Sequence, residues 1–155
     1  MSVREQVMDL QLRCAHALDD DQLEQWPGFF TEAGRYRVIP RENHARGLPA
    51  CLIDCAGQAM LQDRVTSLRR ANIYNIHFDR HLMSPPLVEA GEAPGTARAR
   101  TQFLLLQSDQ SGVTKPFATG VYLDLIDLSG EQARFIERSV VLDTYGVLEL
   151  LATPI

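Results

Sequence analysis

The first twenty residues carry an apolar pattern with the spacing of a helix. One stripe recurs every three or four positions: Val3, Val7, Leu10, Cys14 and Leu18. Ser2 and Glu5 fit a capping box, in which the serine hydroxyl and the glutamate each satisfy a backbone N–H of the first turn. The pattern therefore predicts an N-terminal helix that ends near the acidic run 19–21.

Shorter elements follow this helix. Leu23, Trp26 and the pair Phe29-Phe30 would form the buried side of a second short helix, which Pro27 and Gly28 interrupt. A strand is predicted over 36–39, before Pro40, and the stretch 41–52 has no clear period and is predicted to be a loop. A third helix is predicted over 54–74, with Leu61, Val65 and Leu68 on one face.

After residue 74 the spacing of apolar residues changes from the 3.6-residue period of a helix to the two-residue period of a strand. Four strands are predicted over 76–84, 97–108, 117–128 and 133–144. Turn residues separate them: Pro85, Pro86, Gly91, Pro94 and Gly95, then Ser111 and Gly112, then Ser129 and Gly130. The last two strands are predicted to form a hairpin. Helices followed by a run of antiparallel strands indicate a single α+β domain over 1–155, with the helices packed on one face of the sheet.

Composition narrows the class of protein. The 155 residues are 45% hydrophobic and 23% charged, which is typical of a globular protein. A net charge of -5 argues against nucleic acid or an anionic membrane as partner. We find no apolar run long enough to span a bilayer and no signal-peptide pattern, so we expect a cytoplasmic protein. Its three cysteines are then expected to be reduced thiols.

An iron–sulfur centre is the first chemistry to test. Cys14-Ala15-His16 matches the first half of a Rieske signature, whose second half would be Cys-x-x-His. Cys51 is followed at that spacing by Asp54, and Cys55 by Gln58. The second half is therefore missing, and we predict that Cys14 is a core residue rather than a ligand.

A mononuclear iron site is the second possibility. His77, Asp79 and His81 alternate along a predicted strand and project from one face, and two histidines with one carboxylate form a known ligand set for iron. Neighbours on one strand face are about 7 Å apart and the two histidines about 13 Å apart, too far for a shared ion. We therefore predict no metal site, and expect these groups to form hydrogen bonds or salt bridges.

Acid–base catalysis inside a cone-shaped pocket is the third possibility. His81, Asp124 or Asp143 could act as the base, with Tyr122 as a hydrogen-bond donor to an oxyanion. Alternatively, the two aspartates pair across the sheet with Arg80, Arg100 or Arg138. We favour this pairing, and we find no P-loop, dinucleotide-binding glycine motif or nucleophile elbow in the chain.

Several segments together resemble one known family, the small (β) subunits of aromatic-ring-hydroxylating dioxygenases. In chain order they are residues 24–30, Tyr36-Arg37-Val38, Asn43-His44-Ala45 with Gly47-Leu48, residues 60–74, Arg80-His81-Leu82, residues 117–124, Glu137-Arg138 and Leu142-Asp143. The likeness covers nearly the whole chain. Within the family, the segments 24–27, 43–45 and 71–74 are most similar to small subunits of dioxygenases for terephthalate, with those for salicylate- and anthranilate-type acids close by.

This resemblance implies a cone-like α+β fold of the nuclear-transport-factor type, with N-terminal helices on a strongly curved, mostly antiparallel sheet. It also implies a β trimer docked on three large (α) subunits, which would carry a Rieske [2Fe-2S] cluster and a mononuclear Fe(II). Electrons from NADH would reach that complex through a reductase. The family provides no catalytic, metal or cofactor residue to transfer to this chain.

A trimer should bury charged strand residues as paired contacts, because an unpaired buried charge is costly. The interface candidates are Arg80, His81, Arg98, Arg100 and Arg138; the alternative is that they pair within the chain. Two other functions stay open at this point. One is a free-standing isomerase or dehydratase that uses His81 or Asp124 as base, and the other is a small-ligand-binding module of the same fold.

Overall fold

The computed structural model describes residues 1–147 and 150–155. Its helices are α1 (Val3–Asp19), α2 (Arg41–Ala45), α3 (Gln58–Arg70) and a 3₁₀ helix (Leu23–Phe29). Its strands are β1 (Phe30–Pro40), β2 (Ile53–Ala56), β3 (His77–Met83), β4 (Leu87–Ala90), β5 (Thr96–Asp109), β6 (Thr114–Asp127) and β7 (Arg134–Leu142). None of the described helices is both long and apolar enough to cross a membrane.

The predicted N-terminal helix is confirmed, together with its cap. The Glu5 N–H donates to the Ser2 hydroxyl at 3.3 Å, and the Glu5 carboxylate accepts from the Ser2 N–H at 2.6 Å. Val7, Leu10, Cys14 and Leu18 are buried. Val3 is 46% exposed, because it lies in the first turn beyond the edge of the core. The buried stripe therefore begins one turn later than predicted.

One sheet contains all seven described strands, in the order β2-β1-β7-β6-β5-β3, and β4 pairs with the first half of β5. Among these strands β1 and β7 run parallel and the other pairs are antiparallel, so the mostly antiparallel α+β fold is confirmed. Register shifts interrupt β1–β7, β5–β6 and β6–β7. Such bulges bend and twist strands, which lets the sheet curve around the helices.

The structure differs from the predictions at several elements. The strand predicted over 36–39 begins earlier, at Phe30, which was assigned to the short second helix. The predicted helix 54–74 ends earlier, at Arg70, and starts later, because Ile53–Ala56 pair with β1 as strand β2 and Gly57, with φ of +84°, turns the chain into α3. A short helix, α2, lies within the predicted loop 41–52. A further strand, β4, follows Pro85-Pro86 where only a turn was predicted. The three elements that the sequence did not predict, α2, β2 and β4, are at most five residues long, which is too short to show a period.

The two faces of the sheet are different environments. Helix α1 packs against the inner face, where Ala97, Ala99, Thr101 and Phe103 of β5 are buried. The opposite face, called the outer face below, carries the alternate residues of the same strand, including exposed Arg98 and Arg100. Aromatic side chains fill the inner side near the 3₁₀ helix. Trp26 contacts Tyr36 edge to face, with ring centroids 5.0 Å apart.

The segment after β7 returns to the inner side of the sheet. The Tyr36 hydroxyl donates to the Ile155 carbonyl at 3.0 Å and accepts from the Ile155 N–H at 2.9 Å. The Arg64 guanidinium donates to the Ala152 carbonyl at 2.7 Å. Ile155 is 1% exposed and belongs to the hydrophobic core. These contacts join residues 152–155 to β1 and α3.

Candidate functional site

A buried ion pair lies on the inner face of the sheet. Arg138 of β7 and Asp124 of β6 are direct cross-strand partners. The Arg138 Nε donates to Asp124 Oδ1 at 2.9 Å, and Nη2 donates to Oδ2 at 2.8 Å. Both side chains are almost fully buried, at 3% and 0% exposure. The predicted pairing of Asp124 with an arginine across the sheet is therefore confirmed.

Helix α1 completes this network. The Gln11 amide Nε2 donates to Asp124 Oδ2 and to the Thr101 hydroxyl, both at 2.9 Å, and Thr101 donates back to Gln11 Oε1 at 3.2 Å. Both carboxylate oxygens of Asp124 thus accept hydrogen bonds, and its charge is compensated. A general base needs a free lone pair within reach of a substrate proton. Asp124 is not arranged in this way.

Sequence analysis missed Gln11, although a signal was present. Gln11 follows Val7 by four positions and precedes Cys14 by three, so it lies on the apolar stripe of α1. A polar side chain at such a position is buried and must find a partner. The stripe therefore already indicated a polar contact between α1 and the sheet.

Aromatic rings enclose the buried guanidinium. The Arg138 Cζ lies 4.2 Å from the Tyr122 ring centroid and 4.1 Å from that of Phe135. Burial opposes the charge on Arg138, but attraction and hydrogen bonds from Asp124 outweigh it and raise the pKa of Arg138. Burial also raises the pKa of Tyr122 well above its usual value, and its hydroxyl has no hydrogen-bond partner among the described residues. Tyr122 therefore stays neutral and serves as packing.

His81 forms a second buried pair, with Asp19 at the end of α1. The His81 Nδ1 lies 2.5 Å from Asp19 Oδ1, and the His81 backbone N–H donates to Asp19 Oδ2 at 2.9 Å. Both side chains are at most 5% exposed, and the other ring nitrogen, Nε2, is buried without a partner. This pair fixes the end of α1 on strand β3. Sequence analysis treated the run 19–21 only as a helix end and missed Asp19.

The predicted common face of His77, Asp79 and His81 is confirmed, and their side chains bind other groups. Asp79 accepts from the Gln107 amide at 3.1 Å and from the Thr153 hydroxyl at 3.0 Å. The His77 Nε2 lies 3.7 Å from the Asp79 carboxylate. Within residues 1–147 and 150–155, no group of three or more His, Cys, Asp or Glu side chains could hold a metal ion. Asp143, the other base candidate, is exposed and accepts from the Thr119 hydroxyl at 2.9 Å. Its nearest ion-pair partner is Arg41, at 3.8 Å, so the predicted pairing of Asp143 with Arg80, Arg100 or Arg138 is wrong.

The outer face carries a groove of about 490 Å³, called the outer groove below. Leu123 and Leu125 of β6 line it together with Arg98 and Arg100 of β5, His44 of α2 and Leu87 of β4. A second hollow of about 610 Å³ shares His44, Arg100 and Leu123 and continues toward Arg41. Arg98 pairs with Glu92 at 2.7 Å, whereas Arg100 has no ion-pair partner among the described residues. Charged and polar side chains line the groove as well, among them Ser139 and Arg37, which pairs with Glu137 at 2.7 Å. The groove is therefore a mixed surface in which leucines lie beside charged groups.

The five interface candidates thus divide into two groups. Arg138 and His81 lie inside the subunit in the intrachain pairs that the sequence left as the alternative. Arg80, Arg98 and Arg100 are exposed, the first on β3 and the other two at the outer groove. For these three, a role in subunit contacts stays a prediction.

Comparison with known proteins identifies the family. The family model described as ring hydroxylating beta subunit matches residues 13–149. The chain is 38% identical to the anthranilate 1,2-dioxygenase small subunit of Burkholderia cepacia over 146 residues, 94% of this chain and 90% of that protein. It is 40% identical to terephthalate 1,2-dioxygenase terminal oxygenase component subunit beta 1 of a Comamonas species over 141 residues, 91% of both chains.

Solved structures agree with this likeness. A chain from Novosphingobium aromaticivorans, assigned as the beta subunit of an aromatic-ring-hydroxylating dioxygenase, superposes with a TM-score of 0.88 at 38% identity and covers 98% of this chain and 96% of its own. A chain assigned as scytalone dehydratase shares the fold alone, with a TM-score of 0.71 at 13% identity over 96% of this chain and 89% of its own. The fold is thus the curved-sheet cone predicted above. The protein belongs to the ring-hydroxylating beta-subunit family, the small subunits of aromatic-ring-hydroxylating dioxygenases.

Proposed function

We propose that this chain is the structural small subunit of a cytoplasmic dioxygenase complex that hydroxylates an aromatic carboxylate. Three copies would form a trimer that supports three large subunits. The large subunits would hold the Rieske [2Fe-2S] cluster and the mononuclear Fe(II), and a reductase would supply electrons from NADH. The substrate class rests on two relatives, which are named for anthranilate and terephthalate, both aromatic carboxylates.

The outer groove is the observation that best supports a structural role. Three leucines, Leu87, Leu123 and Leu125, line the groove, and a neighbouring subunit could cover them and pair with the guanidinium of Arg100. We assign Arg98 and Arg100 to the contact between small subunits. In this proposal Arg98 and Arg100 hold the small subunits together, and the chemistry would take place in the large subunit.

The inner face supports the same proposal. A cone-fold isomerase needs a free acid or base beside an accessible cavity. Here Asp124 is neutralised by Arg138. Asp19 occupies only Nδ1 of His81, and the remaining ring nitrogen, Nε2, is buried rather than open to a substrate. Neither candidate is therefore placed as a base, so an isomerase or dehydratase activity is not favoured.

Co-purification tests the proposal. The chain is expressed with its large subunit, and the complex is weighed by native mass spectrometry while its iron is quantified. We expect equal numbers of large and small chains, three of each, and loss of all iron when the large chain is omitted. Turnover of terephthalate, anthranilate and salicylate by the complex with its reductase would then identify the substrate. A homo-oligomer that binds no large chain would refute the proposal.

A further inference from the structure

We propose that Arg64 of α3 forms a binding site for a small apolar carboxylate, and that residues 151–155 cover this site as a releasable segment. This segment is called the strap below. The site lies on the inner side of the sheet, where the strap contacts α3 through Arg64 and β1 through Tyr36. The ligand would bind to the small subunit itself, so the site does not depend on a large subunit.

Arg64 has an unused hydrogen-bond donor in a buried position. Its Nη2 donates to the Ala152 carbonyl at 2.7 Å, whereas its Nε is buried without a partner among the described residues. None of the described carboxylates forms an ion pair with it. A buried N–H without an acceptor costs free energy. The guanidinium is therefore suited to an acceptor that the strap does not supply.

Two other arginines show what this edge of a guanidinium binds. Arg138 donates from Nε and Nη2 to the two carboxylate oxygens of Asp124, at 2.9 and 2.8 Å. Arg35 binds Asp54 with the same two nitrogens, at 2.9 and 2.6 Å. Arg64 presents the same edge to a backbone carbonyl, which has a single oxygen. A carboxylate has two oxygens and the opposite charge, so it would bind this edge more strongly than the carbonyl does.

The strap is held differently from the strands. Among the described residues, no backbone–backbone hydrogen bond joins positions 151–155 to the rest of the chain. Its hydrogen bonds involve side chains instead, those of Tyr36, Arg64 and its own Thr153. Segments with few backbone hydrogen bonds open at a lower free energy than a sheet does. The strap can therefore leave while the sheet stays folded.

The space under the strap suits an apolar body. Ile155 is 1% exposed and Ala152 6%, and both belong to the hydrophobic core. Ile155 contacts the hydroxyl of Tyr36, whose ring lies edge to face on Trp26. Residues 152–155 span at most about 11 Å, so a ligand that replaces them must be compact. Benzoate, an aromatic ring with one carboxylate, has this chemistry and serves as the probe.

The test weakens the strap and measures the affinity for benzoate. When a site is open only part of the time, its apparent affinity falls with the open fraction, so a weaker strap should give tighter binding. The variant is Ile155→Ala in the full chain, which removes apolar contacts of the strap and leaves Arg64 unchanged. Val7→Ala is the matched control, since it shortens a 0% exposed side chain of α1. Calorimetry and the fluorescence of Trp26, the single tryptophan, report binding.

We expect Ile155→Ala to bind benzoate about tenfold more tightly than the wild type, and Val7→Ala to bind it like the wild type. Adding Arg64→Lys to Ile155→Ala should weaken binding about tenfold or more, because lysine keeps the charge but lacks two adjacent donors. Benzyl alcohol has the same ring without a carboxylate, and it should bind at least about tenfold more weakly than benzoate.

Each other outcome has a defined meaning. Equal benzoate affinity of Ile155→Ala and the wild type, or no effect of Arg64→Lys, would overturn the proposed site. An equal gain in Val7→Ala would reflect general loosening of the core, and equal binding of benzyl alcohol would show an apolar cavity alone; either result refutes the site. Should Ile155→Ala unfold, Thr153→Ala decides, since it removes the hydrogen bond from the strap to Asp79: tighter benzoate binding supports the site, and unchanged binding refutes it. None of these results depends on the large subunit, so the proposed function stands or falls separately.

Discussion

The guanidinium of Arg138 depends on a single carboxylate. Replacing Asp124 by Asn keeps the shape of the side chain but leaves Arg138 charged and uncompensated in the core. We expect the free energy of unfolding to fall by about 3–5 kcal/mol, the cost typical of breaking a buried pair from one side. Urea unfolding followed by circular dichroism measures this loss.

Asp54→Asn is the matched control for that variant. Asp54 accepts two hydrogen bonds from Arg35, the same geometry as in the buried pair, but both side chains are about two-fifths exposed. An exposed pair contributes less than about 1 kcal/mol. If Asp124→Asn and Asp54→Asn lowered the free energy of unfolding by the same amount, burial of the ion pair would not be the cause of the destabilisation.

The thiol of Cys14 makes stability depend on alkaline pH. Burial raises its pKa from the ordinary 9.0 to about 11. As pH rises, the unfolded chain therefore loses this proton first, so the contribution of Cys14 to stability is complete below pH 9 and declines up to about pH 11. The decline amounts to about 2–3 kcal/mol.

Comparison with Cys14→Ala isolates this effect. Unfolding free energies of both proteins are measured from neutral pH to about pH 11. Cys14 contributes only in a minor way to the raised pKa values of the buried tyrosines, whose main cause is burial, so the difference between the curves reports mainly Cys14. The variant is less stable at pH 7 because it leaves a cavity, and its curve should be flatter above pH 9. Parallel curves would contradict a raised thiol pKa.

Among single residues, the sequence predicted one buried pair in part. It predicted that Asp124 pairs with an arginine across the sheet, with Arg80, Arg100 and Arg138 as candidates, and the structure shows that the partner is Arg138. Asp19 with His81 could not be predicted, because a helix end meets a strand 62 positions away and no local period records that contact. Local pattern therefore identified contacts within the sheet better than contacts between layers.

At the scale of elements, the close pairing of β6 with β7 requires a glycine at position 120. A Cβ atom on Gly120 would lie 2.1 Å from the Val141 carbonyl oxygen and 3.1 Å from the Phe103 ring. Gly120→Ala should therefore push β6 away from β7 and lower the unfolding free energy by about 2–3 kcal/mol. Thermal unfolding tests it. Gly28→Ala is the control, since nothing lies within 4 Å of its added Cβ, and it should change stability by about 0.5 kcal/mol or less.

Long elements were predictable from the sequence and short ones were not. Strands β5 and β6, each 14 residues long, repeat their period often enough to be recognised. Strand β2 has four residues and lies directly before α3, so its last three residues, 54–56, were assigned to the helix. Pairing with β1 decides that segment, and pairing is a property of distant residues. The parallel pairing of β1 with β7 could not be predicted from the sequence for the same reason.

At the scale of the whole molecule, the small-subunit contact that we propose at the outer groove can be tested by reversing one charge. Arg100→Glu places a negative charge on the groove floor and should convert the small-subunit trimer into monomers at micromolar concentration, because a reversed charge at a central contact repels its partner. Light scattering after size exclusion measures the mass. Arg4→Glu, on α1 at the inner side, makes the same change of charge and should leave the trimer intact. If the Arg100→Glu variant remained a trimer, the outer groove would not be part of the contact between small subunits.

The anchoring of residues 152–155 also has a consequence for biosynthesis. Tyr36 and Ile155 are separated by 119 positions, so the hydroxyl of an early strand finds its partner only after all seven described strands have been translated. Contacts between such distant positions form slowly, since a long loop must first close. A nascent chain on the ribosome therefore holds an incomplete core. If the proposed assembly with neighbouring subunits requires the completed core, it can begin only after residues 152–155 have emerged from the ribosome.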